Sequence, residues 1–205
     1  MNWIQPPGPV AGGLTIGLLG GTFDPAHDGH LYISLTALKR LKLDYVWWLV
    51  SPGNPLKGAP APFEKRIAAA RALARHPRLI VTDIEQRLGT RFTLDTVTAL
   101  QRRFPGVNFV WLMGSDNLQT FDRWRDWKQI ALRLPLVVVQ RPGSIMAAVN
   151  AAPVRHFGKT HALKAPPALV VLDGARNAQS ATQIRALGIG DGAMLNSPLN
   201  RRKNP

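Results

Sequence analysis

Two histidines three residues apart, His27 and His30, stand in the run Gly20-Gly21-Thr22-Phe23-Asp24-Pro25-Ala26-His27-Asp28-Gly29-His30. The chain has only five histidines. The apolar run Leu14 to Leu19 before them reads as a buried strand, and Leu31 to Leu41 after them reads as a helix. A glycine-rich turn at such a junction lets backbone N–H groups approach a phosphate closely. Imidazole donors beside the positive end of a helix also suit a polyphosphate. The plainer alternative is a tight turn that happens to carry two surface histidines.

Four further segments carry groups able to do chemistry. Ser51-Pro52-Gly53-Asn54-Pro55-Leu56-Lys57 is a rigid loop after an apolar run, in which Lys57 either reaches phosphate or is simply solvated. Arg91-Phe92-Thr93-Leu94-Asp95-Thr96 opens a helical segment, where a Thr or Asp ordinarily serves as an N-cap. Val110 to Leu118 reads as a strand ending in Gly114-Ser115-Asp116, and a carboxylate just past a strand end is well placed to bond ribose hydroxyls. Ser180-Ala181-Thr182-Gln183-Ile184-Arg185 places cap residues Ser180 and Thr182 before a helix whose amides, with Arg185, form an anion cradle. Trp124 and Trp127 lie three apart and are expected to share one helical face. Core packing is the default for such a pair, but one flat aromatic near a site would offer a stacking surface.

The elements that must position these groups alternate. Strand-like runs fall at Leu14–Leu19, Tyr45–Val50, Leu79–Val81, Val107–Met113, Leu136–Val139 and Ala168–Leu172. Helix-like segments fall at Gly29–Leu41, Phe63–Arg75, Thr93–Phe104, Asp122–Leu132 and Ser180–Leu187, with another expected near Ile145–Asn150. Continuous apolar strands between helices predict a doubly wound, Rossmann-like α/β fold: one parallel sheet with helices on both faces, its ligands beyond the carboxyl ends of the strands. A single domain is expected over 14–190, with 1–13 a flexible, Pro- and Gly-rich arm and 191–205 a basic, disordered tail.

Length and composition set outer limits. The 205 residues favour one domain. No apolar run is long enough to span a membrane, and the first residues lack a basic region ahead of an apolar one, so neither a membrane anchor nor a secretory signal is expected. Without cysteine there is no disulfide or thiolate chemistry, which fits a cytoplasmic protein. The formal net charge of +14 attracts polyanions, either nucleotides or nucleic acid. The first 60 residues carry only +1 of it, and no motif of a common nucleic-acid module is present.

Gly21-Thr22-Phe23-Asp24-Pro25 with His27-x-Gly29-His30 resembles the HxGH signature of the nucleotidylyltransferase superfamily, and Ser180-x-Thr182-x-x-Arg185 resembles its second signature. The Asn54-Pro55-x-Lys57 loop, Phe92-Thr93-x-x-Thr96, Gly114-x-Asp116-x-Leu118, Trp124 and Arg141-Pro142-Gly143 are together similar to the nicotinate-mononucleotide adenylyltransferases. Phe92 replaces the family's tyrosine, and Arg125 stands where some members have an aromatic residue. The resemblance implies adenylyl transfer from ATP to nicotinate mononucleotide. It implies His27, His30, Lys57 and Arg185 as catalytic groups. Gly20, Gly21, Thr22, Phe23, His27, His30, Gly114, Asp116, Ser180, Thr182 and Arg185 would face ATP. Asn54, Lys57, Thr93, Trp124, Arg125 and Arg141 would face the mononucleotide, with Trp124 on the pyridine ring. Mg²⁺ would be held by the phosphates, with no protein ligand. The competing readings are a sibling enzyme acting on phosphopantetheine and a nonenzymatic nucleic-acid-binding protein.

Overall fold

The computed structural model describes residues 4–53, 60–140 and 151–172. Its elements run β1 (Thr15–Gly21), α1 (Asp28–Arg40), β2 (Tyr45–Val50), α2 (Phe63–Leu73), β3 (Leu79–Thr82), α3 (Ile84–Leu88), α4 (Thr93–Arg103), β4 (Asn108–Gly114) and α5 (Ser115–Leu118). A 3₁₀ turn (Phe121–Arg123), α6 (Trp127–Arg133), β5 (Leu136–Val139), α7 (Ala152–Phe157) and β6 (Leu169–Leu172) follow. The six strands form one sheet in the order β3-β2-β1-β4-β5-β6, and every pairing is parallel.

Alternation along each strand builds two cores. Ile16, Leu18, Trp47, Leu49, Phe109, Trp111 and Met113 point to one face and pack with Ile84, Val97, Leu100 and Ile130 from α3, α4 and α6. Leu19, Val46, Trp48, Val50, Val110 and Leu112 point to the other and pack with Ile33, Ala37, Leu38, Ile67 and Ala70 from α1 and α2. The predicted doubly wound fold with helices on both faces is therefore the observed one. Trp47, Trp48 and Trp111 are essentially unexposed. Each removes about 150–250 Å² from water, worth roughly 5 kcal/mol before entropy is counted. Among the described residues no helix is long and apolar enough to cross a membrane.

Three local expectations differ from the structure. Gly20 and Gly21 are not a turn; they are the last residues of β1, paired with Leu49 and Val50 of β2. Gly20 is required by packing, because a Cβ there would stand 2.7 Å from Trp111 Cη2. The helix expected over Asp122–Leu132 is broken: Trp124 is extended, Asp126 is left-handed at φ 55°, and the helix starts only at Trp127. Trp124 and Trp127 therefore do not lie on one helical face. The N-terminal residues, expected as a loose arm, lie against the body where they are described. Ile4 and Val10 pack on the first core, and Arg87 Nη1 donates to Gln5 O at 2.6 Å. The segments near Ile145–Asn150 and Ser180–Leu187, and the tail 191–205, lie outside the described residues.

Candidate active site

Strand order reverses between β1 and β4, so the crevice of this fold opens beyond Gly21 and Gly114. The amino end of α1 enters it from one side. His27 is the N-cap, with extended backbone. Its Nδ1 accepts from the Gly29 N–H at 3.0 Å, while the His27 N–H donates to His30 Nδ1 at 3.3 Å. Each imidazole thus takes the place that Ser and Glu occupy in an ordinary capping box. A ring nitrogen that accepts carries no proton, so a neutral imidazole in this arrangement carries its proton on Nε2. The rings lie 4.0 Å apart. His27 is buried and His30 half-buried.

Behind them stands a rigid aromatic wall. Phe23 packs on His30 at 4.5 Å and stacks on Trp48 at 5.1 Å. Trp48 Nε1 donates to Ser34 Oγ at 2.7 Å, and Ser34 Oγ donates to His30 O at 2.8 Å. Phe23 holds φ at 50°, a conformation that costs a bulky residue about 1–3 kcal/mol and persists only where packing over-determines it. Its ring is 1% exposed, so it supports His30 and does not itself face the crevice. A Cβ on Gly21 would stand 3.9 Å from His30 Nε2, which places that donor beside the end of β1.

From β4 come buried Gly114 and exposed Asp116, the latter in the first turn of α5. The amino end of α4 and the Trp124 segment meet as a second group. Phe92 is the N-cap of α4 and has no oxygen to offer the first-turn amides. Arg125 bonds Asp95 at 2.6 Å, reaches Asp126 at 3.6 Å and lies 3.8 Å over the Phe92 ring. It thereby neutralises the one acidic residue in the first turn of α4 and ties Trp124 to Thr93 across thirty residues of sequence. Trp124 is half-buried, edge-on to Trp111 at 6.0 Å and 5.1 Å from Phe121. Asn54, Lys57, Arg141, Ser180, Thr182 and Arg185 lie outside the described residues.

Two buried charged residues escaped sequence reasoning. Arg66, 3% exposed, bonds the carbonyls of Thr22 and Ser51 at 2.6 and 2.8 Å. Its signal was a charge on the apolar stripe of α2, three after Phe63 and four before Ala70. Glu85 on α3 accepts from Thr96 Oγ1 at 3.1 Å, and burial pushes its carboxyl from the ordinary 4.5 to about 7. Thr96 Oγ1 also lies 2.8 Å from Thr90 Oγ1, so Glu85 underpins the start of α4. As one of only two glutamates, its rarity was the available hint.

A parallel sheet with two imidazoles at its switch point is the architecture on which the comparisons with known proteins bear. The chain belongs to the cytidylyltransferase-like family, whose model matches residues 18–187, and within it to the nicotinate-nucleotide adenylyltransferases. It is 52% identical over 182 residues to a Cereibacter sphaeroides protein named "Probable nicotinate-nucleotide adenylyltransferase", covering 85% of this chain and 98% of that one. A Methylorubrum extorquens protein of the same name is 48% identical over 183 residues, covering 84% and 99%. The fold matches that of the Plasmodium falciparum nicotinic acid mononucleotide adenylyltransferase complexed with NaAD, with a TM-score of 0.68 at 14% identity, covering 84% of this chain and 83% of that one. The phosphopantetheine and nucleic-acid readings are not favoured.

Proposed function

We propose that this protein transfers the adenylyl group of ATP to nicotinate mononucleotide, giving nicotinate adenine dinucleotide and pyrophosphate, in NAD biosynthesis. One observation carries the reading: two imidazoles, each oriented by a backbone amide on its Nδ1, at the switch point of a chain half-identical to adenylyltransferases of that name.

The nucleophile is the 5′-phosphate of the mononucleotide. It is anionic near neutral pH and needs no general base. A phosphate oxygen bonds to the α-phosphorus as the bond to the bridging oxygen breaks, and pyrophosphate leaves. The work is to align two polyanions and to stabilise charge on the α-phosphoryl group and the leaving group. His27 and His30 donate Nε2–H to those oxygens, with Lys57 and Arg185 supplying positive charge. The residues implied to cradle ATP are Gly20, Gly21, Thr22, Phe23, Gly114, Asp116, Ser180 and Thr182. Phe23 takes part through its backbone, since its ring is buried.

Mg²⁺ suits this donor set as a companion of the triphosphate. Nδ1 of each histidine is already taken by a backbone amide, which turns the rings toward phosphate and leaves the metal to the phosphates in this reading. When bound, Mg²⁺ supplies positive charge at the phosphate oxygens, held there by phosphate and water. Asn54, Lys57, Thr93, Trp124, Arg125 and Arg141 face the mononucleotide. The uncapped amides of α4 suit the nicotinate carboxylate, and the Arg125–Asp95 pair removes a repulsive charge beside it. Trp124 supplies the flat surface for the pyridine ring. The cytoplasm is the setting this reading implies.

Purified protein given ATP, Mg²⁺ and nicotinate mononucleotide should release pyrophosphate and dinucleotide in equal amounts. Absence of both contradicts the proposal.

A further inference from the structure

Burying a guanidinium costs several kcal/mol unless its donors are satisfied. A methionine or leucine would fasten α2 to the sheet without that cost. At position 66 the chain keeps arginine and satisfies its donors with backbone carbonyls. Nη1 donates to Thr22 O at 2.6 Å and Ser51 O at 2.8 Å, Nη2 to Pro52 O at 3.1 Å, and Nε to Ala61 O at 2.8 Å. The Phe63 ring lies 5.3 Å from its Cζ. Asp24, near enough for its charge to offset part of the burial penalty, accepts from the Ala61 N–H at 3.3 Å.

The location of these carbonyls gives the arrangement its meaning. β1 and β2 are joined up to the Ser51 N–H, which donates to Gly21 O at 2.9 Å. One residue further on each strand has left the sheet. Thr22 begins the loop that leads through Phe23 to the histidines, and Ser51–Pro52 leads in sequence toward Asn54 and Lys57. A single Nη1 spans both exits where the ladder between them ends. A planar fork with five fixed donors can do this; the flexible ammonium of lysine cannot reproduce its geometry.

We infer that Arg66 is a positioning residue that fixes the spacing between the histidine loop and the loop after β2, and through it the alignment of the two substrates. Only the identity of those substrates rests on the function proposed above. The spacing itself is a property of the carbonyls that Arg66 joins.

Arg66→Met and Arg66→Lys test this with two readouts. Hydrogen exchange reads the clamp without needing turnover. In each variant, amides over 21–24 and 51–53 should exchange roughly tenfold faster or more, and those of β4 should not change. Steady-state kinetics, taken well below each variant's melting temperature, read the consequence. For Arg66→Met, kcat/KM for nicotinate mononucleotide should fall roughly a hundredfold, the scale of a misplacement of about 1 Å, with Arg66→Lys recovering part of it. A folded Arg66→Met with wild-type exchange, or with faster exchange and wild-type kcat/KM, overturns the inference. So does failure of both variants to fold, which would make Arg66 a brace of the core. If the wild-type protein makes no dinucleotide, the proposed function falls, while exchange at the two loops still decides the clamp.

Discussion

The amino ends of α1 and α4 are built in opposite ways. At α1 the hydrogen bonds run between residues two and three apart in sequence, His27 with Gly29 and His30 with His27, behind a wall of Phe23 and Trp48. At α4 the N-cap contributes no side-chain bond; the helix start rests on buried Glu85 beneath it, and its outer face is held by Arg125, thirty residues away, through contacts open to solvent. The first arrangement fixes donors before any ligand arrives, which is what charge developing in a transition state requires. The second ties its outer face, Trp124 included, to the helix through an exposed ion pair worth about 0–1 kcal/mol. Under the proposed function, catalysis and acceptor recognition would sit on two helix ends held in these different ways.

The largest expected effect lies at the stiff end. His30→Ala removes one Nε2–H donor and should lower kcat by about two to three orders of magnitude, the cost of losing one transition-state donor, with mononucleotide affinity little changed. Near-normal turnover in stopped-time assays would show that the histidine pair is only a helix cap. A smaller effect is expected at the other end. Trp124→Ala should raise KM for nicotinate mononucleotide about tenfold and leave KM for ATP alone, since an aromatic contact is worth about 0.5–1.5 kcal/mol. If the variant unfolds instead, the contacts of Trp124 with Trp111 and Phe121 are its whole purpose.

A third effect concerns stability and leaves turnover aside. Glu85, beneath the start of α4, has its carboxyl raised to about 7 in the folded protein, burial outweighing the bond from Thr96. The folded state therefore holds this proton more tightly than the unfolded chain. Its stabilising contribution is whole below about 4.5 and is lost as pH rises through about 7, on the order of a few kcal/mol in all. Glu85→Gln mimics the protonated acid, so its melting temperature should exceed that of wild type at pH 8 and converge with it near pH 5. Parallel melting curves across that range would remove Glu85 from the account.

The same contrast explains what was legible in the sequence. Strand runs and the histidine motif were readable because their periodicity and pairing are local. The two-sided sheet followed, since apolar strands between helices admit few other arrangements. That Gly20 lies in β1 and not in a turn is not legible in sequence, because only the parallel pairing brings Trp111 of β4 against it. The helix over 122–132 was overextended, because the turn at Trp124–Asp126 is dictated by tertiary contacts of Trp124 and Arg125 and not by a proline or glycine. Arg66 and Glu85 stayed hidden for a related reason: their partners are carbonyls and hydroxyls that converge only in three dimensions.

The most direct measurement is a comparison of acceptors at fixed ATP and Mg²⁺, following dinucleotide and pyrophosphate. The acid carries one more negative charge than the amide, and the uncapped amides of α4 would pair it through charge-assisted bonds. A site built for that charge leaves its donors unmatched by the analogue, a penalty of about 2–4 kcal/mol. We predict kcat/KM for nicotinate mononucleotide above that for nicotinamide mononucleotide by roughly a hundredfold or more. Equal efficiency would contradict the role given to the α4 amides, and turnover of phosphopantetheine with neither mononucleotide used would contradict the account as a whole.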